Sequence, residues 1–70
     1  MTIRERYTEI LQQVYVTPEE WGLIKRRSGL TIRRRCARGQ QPGAFLDHGR
    51  WMIDLQTAVR AEPLRHPRPS

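Results

Sequence analysis

Few residues of this chain are suited to building a chemical site. A single cysteine, Cys36, excludes an internal disulfide, and with only two scattered histidines it leaves no familiar pattern for structural zinc. No nucleophile–base pair and no phosphate-binding loop occur. The sequence therefore predicts a protein that is not an enzyme and that needs no metal or cofactor. The spacing of Cys36 from Ile32 favours a small buried side chain over a reactive thiol.

Apolar residues are also scarce. Hydrophobic residues make up 37% and aromatic residues 7% of the 70 residues. A chain of this size forms one small domain that buries only about 60% of its extended surface, which leaves little room for a deep, dry cleft. No apolar run is long enough to span a bilayer and no secretory signal is visible, so we expect a cytoplasmic protein without a membrane partner.

Acidic residues are missing from the middle of the chain. The net charge is +6, and twelve of the thirteen basic residues are arginine. No acidic residue occurs between Glu20 and Asp47, although seven basic residues lie there: Lys25, Arg26, Arg27, Arg33, Arg34, Arg35 and Arg38. Such a block repels itself unless a polyanion is near, and arginine suits phosphate and guanine edges better than lysine does. A solvated charge run is the plain alternative.

Within this acid-free stretch the sequence predicts a short helix. Ser28 is suited to cap its start, with Thr31 as a second candidate, and Gly39 and Pro42 are suited to end it.

The helical period gives this short helix two different faces. It places Ile32 and Cys36 on one face and Leu30, Arg34 and Ala37 roughly opposite. A thin buried stripe with a cationic outer side suits the major groove of a duplex, but an ordinary solvated helix of a basic protein has the same pattern.

A second helix is predicted directly before it, from Pro18 to about residue 25 or 26. Thr17 is the expected cap, Pro18 fits the first helical position, and Glu20 completes a capping box. Gly22 costs about 1 kcal/mol relative to alanine inside a helix, which a close neighbouring helix would explain. We expect the buried side to carry Trp21, Leu23 and Ile24. Two short helices joined around residues 28 and 29 predict a helix-turn-helix.

Residues 1–14 form a predicted helical extension that packs either on the domain or on a second copy of the chain. Its apolar positions at helical spacing are Ile3, Tyr7, Ile10, Leu11 and Val14. Tyr15 and Val16 predict a short extended segment that leads into the domain, which we place at residues 15–62.

Beyond Gly39, residues 44–46 and 50–53 predict two strands around a tight turn. Gly49 supplies the positive φ that such a turn needs, and Arg50 lies at the tip. We expect one face of this hairpin to cover the helices through Phe45, Trp51 and Ile53.

A last helix is predicted after the hairpin, and it ends before Pro63. Asp54 is suited to cap it, and its apolar residues are Leu55, Ala58 and Val59. Residues 63–70 predict a proline-rich disordered tail.

Four short motifs follow one another along the chain: Tyr-x-Thr-x-x-Glu-Trp, Ser-x-x-Thr-hydrophobic-Arg-Arg, Gly-x-x-Pro, and Gly-Arg-aromatic before a closing helix. They are carried by Tyr15, Thr17, Glu20, Trp21, Ser28, Thr31, Ile32, Arg33, Arg34, Gly39, Pro42, Gly49, Arg50 and Trp51. Each motif alone is common. As an ordered set over residues 15–59 they make the chain resemble the phage excisionase family, small MerR-type winged helices that act as recombination directionality factors.

The resemblance implies an α+β fold, a small winged helix-turn-helix with a two-stranded hairpin wing, to which this chain adds an N-terminal helix. It implies that Arg34 reaches base edges in the major groove and that Arg50 enters the adjacent minor groove. The predicted DNA-binding residues are Ser28, Leu30, Thr31, Arg33, Arg34 and Arg38 in the recognition helix and His48 and Arg50 in the wing. Arg26 and Arg27 are predicted to contact the DNA backbone.

The function that the resemblance implies is sequence-specific binding and bending of double-stranded DNA in the host cytoplasm and nucleoid. The protein would thereby assist a phage integrase in prophage excision, and several copies of it would associate along the DNA. A small phage transcription regulator and an RNA- or protein-binding adaptor are the alternatives. The chain departs from the family at three positions. Arg35 stands where an apolar residue is usual, and Ala37 stands where an arginine is common, which Arg38 offsets. Leu30 stands where a polar residue would read a base, so the sequence preference must differ.

Overall fold

The protein is described here by a computed structural model that covers residues 2–63, without the side chain of Ile3. Its elements in chain order are α1 (Ile3–Leu11), β1 (Tyr15–Val16), α2 (Pro18–Lys25), α3 (Gly29–Ala37), β2 (Ala44–Asp47), β3 (Arg50–Asp54) and α4 (Leu55–Ala61). The strands form one antiparallel sheet with the order β1-β3-β2. The predicted α+β class is confirmed, and the arrangement is compatible with a winged helix-turn-helix that follows an extra helix. Of the predicted tail, residues 64–70 lie outside the described part.

Short polar side chains fix where the helices begin. At α2 the Thr17 hydroxyl accepts the Glu20 N–H at 3.1 Å, and the Glu20 carboxylate accepts the Thr17 N–H at 2.9 Å, which is the predicted capping box. Ser28 caps α3 by accepting the Thr31 N–H at 3.1 Å, so Thr31 itself is not the cap. Asp54 caps α4, as predicted.

The core lies between the helices and one face of the sheet. It consists of Ile10, Val16, Trp21, Ile32, Cys36, Ile53, Leu55 and Ala58. Because Ile10 is fully buried among these residues, α1 packs on the rest of the chain. Tyr7 reinforces this contact by donating its hydroxyl to the Leu23 carbonyl at 2.8 Å.

The sheet differs from the prediction in two ways. Tyr15 and Val16 pair with Asp54 and Ile53, so the extended segment before α2 is a third strand. Phe45 pairs with Met52, and since directly opposed residues share a face, Phe45 lies on the side away from Ile53. The predicted shared face of Phe45, Trp51 and Ile53 is therefore wrong for Phe45. Its ring instead packs edge-on against Tyr15 at 5.3 Å between centroids.

The buried side of α2 is narrower than predicted. Trp21 is fully buried and Ile24 packs against the core, but Leu23 is 38% exposed. Two residues along a helix correspond to a rotation of about 200°, which places Leu23 almost opposite Trp21. The prediction of a buried Leu23 was therefore wrong.

Candidate nucleic-acid interface

The turn between α2 and α3 is built on Gly22. Arg26 ends α2 in the left-handed conformation at φ 58°, and the Arg27 N–H then donates to the Gly22 carbonyl at 2.8 Å. A Cβ on Gly22 would lie 2.6 Å from the Arg27 carbonyl oxygen. The close approach that the sequence predicted therefore exists, but it comes from the following turn and not from a neighbouring helix. It places Arg26 and Arg27 just before the start of α3.

The two faces of α3 are those that the sequence predicted. Ile32 and Cys36 are buried in the core. On the opposite side Leu30, Arg34 and Ala37 are exposed. Arg34 lies two residues from both buried side chains and thus almost opposite them on the helix. Arg38 continues the exposed side just beyond the last turn.

Two carboxylates from other parts of the chain lie on the flanks of α3. Arg33 forms an ion pair with Glu19 of α2, and both side chains are partly solvated. On the other flank Arg35 binds Glu62 beyond α4, with the guanidinium nitrogen 3.1 Å from the carboxylate oxygen. Although no acidic residue occurs within this stretch of the sequence, carboxylates from elsewhere in the chain lie beside it and pair with two of its arginines. The predicted DNA contact of Arg33 stays a prediction, in which phosphate competes with Glu19.

Four arginines around α3 have no such partner. Among the described residues, no ion pair involves Arg26, Arg27, Arg34 or Arg38, and all four are exposed. The remaining cation of this stretch, Lys25 at the end of α2, has its Nζ 5.7 Å from the centroid of the Trp21 ring. The unpaired charge is thus found before the start of α3, on its outer face and just after its end. We call these four residues the free-arginine set.

The hairpin has the predicted tight turn at Gly49, but the turn is one residue shorter than predicted, because Asp47 belongs to β2 and only His48 and Gly49 lie between the strands. His48 and Gly49 have φ values of 52° and 79°, and Asp47 pairs with Arg50 across the turn. His48 is almost fully exposed and its Nδ1 lies 2.9 Å from an Asp47 carboxylate oxygen. Arg50 is exposed at the start of β3 and forms no ion pair within the described residues. The tip therefore offers one unpaired cation.

A small polar network around Arg35 had no signal in the sequence. Gln41 is buried, and its side-chain amide donates to the Pro42 carbonyl at 3.1 Å and to Glu62 at 3.5 Å. Glu62 also binds Arg35, so the loop after α3 is tied to the end of α4. Position 35, where the resemblance led us to expect an apolar residue, thus forms an ion pair with a residue distant in the chain.

Cys36 is a structural side chain in this arrangement. Burial raises the pKa of its thiol above the ordinary value, although the nearby Arg35 charge and a backbone hydrogen bond act in the opposite direction. The thiol is therefore protonated at neutral pH and faces the core, which agrees with the predicted small buried residue.

The described residues contain no group of three or more side chains that could hold a metal ion. None of the helices in residues 2–63 is long and apolar enough to cross a membrane. Comparison of the chain with family models, curated proteins and solved structures gave no match in any of the three.

Proposed function

We propose that this protein binds double-stranded DNA with α3 in the major groove and the β2–β3 hairpin against an adjacent groove. The observation that carries the proposal is the position of Arg34. Its side chain is exposed almost opposite the buried Ile32 and Cys36, and no described carboxylate neutralises it. An unpaired arginine that projects from the outer face of a helix suits the bidentate contact with guanine O6 and N7.

The remaining free arginines suit phosphate contacts that fix the orientation of the helix. Arg26 and Arg27 precede α3 and Arg38 follows it, so cations lie beyond both ends of the base-reading face. Arg33 and Arg35 are paired with carboxylates on either flank of α3, so phosphate must compete with Glu19 and Glu62 for them. Arg50 at the hairpin tip supplies the proposed minor-groove contact.

The finer proposal is an excisionase that bends DNA and helps a phage integrase to remove a prophage. It is supported by the motif resemblance together with a helix-turn-helix and a hairpin in the expected order. A small transcription regulator would need the same groove contacts and is the second candidate. An excision assay with the matching integrase separates the two functions: recombination that depends on the protein supports the first, and repression without any effect on excision supports the second.

The DNA proposal is tested by binding measurements with Arg34→Ala and the matched control Arg60→Ala, an exposed arginine in the last turn of α4. Arg34→Ala should weaken binding to the preferred duplex by about 1–3 kcal/mol and relax the preference at one base pair. Arg60→Ala should leave the preference unchanged.

Two results would contradict this assignment. An equal loss on every duplex would make Arg34 a phosphate contact and not a reader of bases. Binding without preference for duplex DNA over RNA, combined with tolerance of hairpin deletion, would favour the adaptor alternative.

A further inference from the structure

An apolar side chain lies in the first turn of α3, four residues before Arg34 and therefore on the same outer face. Leu30 is 55% exposed and packs in no core cluster of the described residues. It occupies the second position of the helix, after the Ser28 cap and Gly29. The first turn of a recognition helix is the part that contacts base edges in helix-turn-helix complexes.

The polar side chains of this first turn bind each other. The Ser28 hydroxyl caps the helix and lies 2.8 Å from the Thr31 hydroxyl; one proton joins the two oxygens, so one O–H donor is left for the predicted DNA contacts of these residues. Gly29 has no side chain, and a Cβ there would meet Glu19 Cγ at 2.9 Å. Leu30 is therefore the one apolar side chain between residues 28 and 31 that can meet an incoming groove.

Leucine can neither donate nor accept a hydrogen bond, so it cannot read the polar groups of a base edge. The apolar group that the major groove presents is the C5-methyl of thymine. Resting on the proposed function, we infer that Leu30 selects a C5-methylated pyrimidine beside the base that Arg34 reads. The two residues are one helical turn apart, about 5–6 Å, which corresponds to one or two base-pair steps of about 3.4 Å.

The test begins with duplexes selected by the full chain from a randomised DNA library. Each thymine of the selected site is then replaced by deoxyuridine, which removes the methyl group and keeps the pairing edge. At one position within two base pairs of the Arg34-dependent base, the replacement should weaken binding about fourfold, the factor that corresponds to ~0.8 kcal/mol for one buried methylene-sized group.

Variants assign this effect to Leu30. Leu30→Ala should bind the thymine and deoxyuridine duplexes equally, and Leu30→Met should restore much of the difference because it retains an apolar side chain of similar size. Leu11→Ala, an exposed leucine on α1, is the matched control and should keep the full difference. Because Leu30 is exposed, its substitution should not change the melting temperature.

Three results would overturn the inference. The first is equal binding of thymine and deoxyuridine duplexes by the unmodified protein. The second is a methyl effect that persists in Leu30→Ala. The third is a set of selected sites that share no thymine near the Arg34-dependent base. Failure to enrich any duplex would overturn the proposed function as well, so the two failures are distinguishable.

Discussion

Replacing Gly22 by alanine sets helix propensity against the geometry of the turn. Alanine is favoured over glycine inside a helix by about 1 kcal/mol, so propensity alone predicts a more stable protein. The structure predicts the opposite, because the new Cβ would lie 2.6 Å from the Arg27 carbonyl oxygen and 3.3 Å from backbone atoms of Ser28. These are backbone atoms, and the turn itself must shift to make room.

The expected size of the effect follows from two costs. Overpacking of this kind costs typically about 1–3 kcal/mol, and loss of the bond from the Arg27 N–H to the Gly22 carbonyl would add about 0.5–1.5 kcal/mol. After subtraction of the propensity gain of about 1 kcal/mol we expect a net destabilisation of about 0.5–3.5 kcal/mol. In a domain of this size each kcal/mol lowers the melting temperature by roughly 4–8 °C.

Thermal unfolding followed by circular dichroism measures this prediction. Thr8→Ala and Thr8→Gly, at an exposed position inside α1, calibrate the alanine–glycine difference of this protein without a clash. DNA binding by Gly22→Ala, measured well below its melting temperature, should also weaken because the turn positions α3. A rise in melting temperature equal to the difference between the two Thr8 variants would refute the close approach.

Three further predictions concern single side chains. Arg50→Ala should weaken DNA binding with an unchanged melting temperature, and a drop of several degrees would instead give Arg50 a structural role. Glu19→Gln should release Arg33 for phosphate and steepen the slope of log affinity against log salt by about 0.9, whereas an unchanged slope would show that Arg33 remains unavailable. Burial raises the pKa of the Cys36 thiol, so the stability that the neutral thiol contributes is present below the unfolded pKa of about 8.5 and is lost as pH rises through the higher pKa of the folded state. Cys36→Ala should therefore flatten the fall in melting temperature at alkaline pH. Identical curves of melting temperature against pH for the two proteins would contradict this.

The features that sequence predicted well are those fixed by neighbouring residues. The capping box at Thr17 and Glu20, the cap at Ser28 and the turn at Gly49 each depend on contacts within four residues, and all three are confirmed. The buried stripe of Ile32 and Cys36 is confirmed for the same reason, since helical spacing alone determines it.

The features that were missed depend on residues far apart in the chain. The ion pair of Arg35 with Glu62 joins residues 27 positions apart, and no local sequence pattern predicts it. The pairing of β1 with β3 likewise brings residues 15 and 54 together. The face of Phe45 was missed for a local reason. The predicted strands left residues 47–49 in the turn, which would put Phe45 opposite Trp51, whereas the turn has two residues and Phe45 lies opposite Met52. The roles in DNA binding stay predictions, because they depend on a partner outside the chain.

The short first strand gives the hairpin an uneven stiffness. β1 supports only Ile53 and Asp54 at the root of β3, while residues 50–52 are paired to β2 alone. The hairpin is thus held at one end, and its displacement should grow toward the tip. In the proposed DNA complex, such a projection would follow a groove whose width varies along the duplex while the helices behind it keep their places.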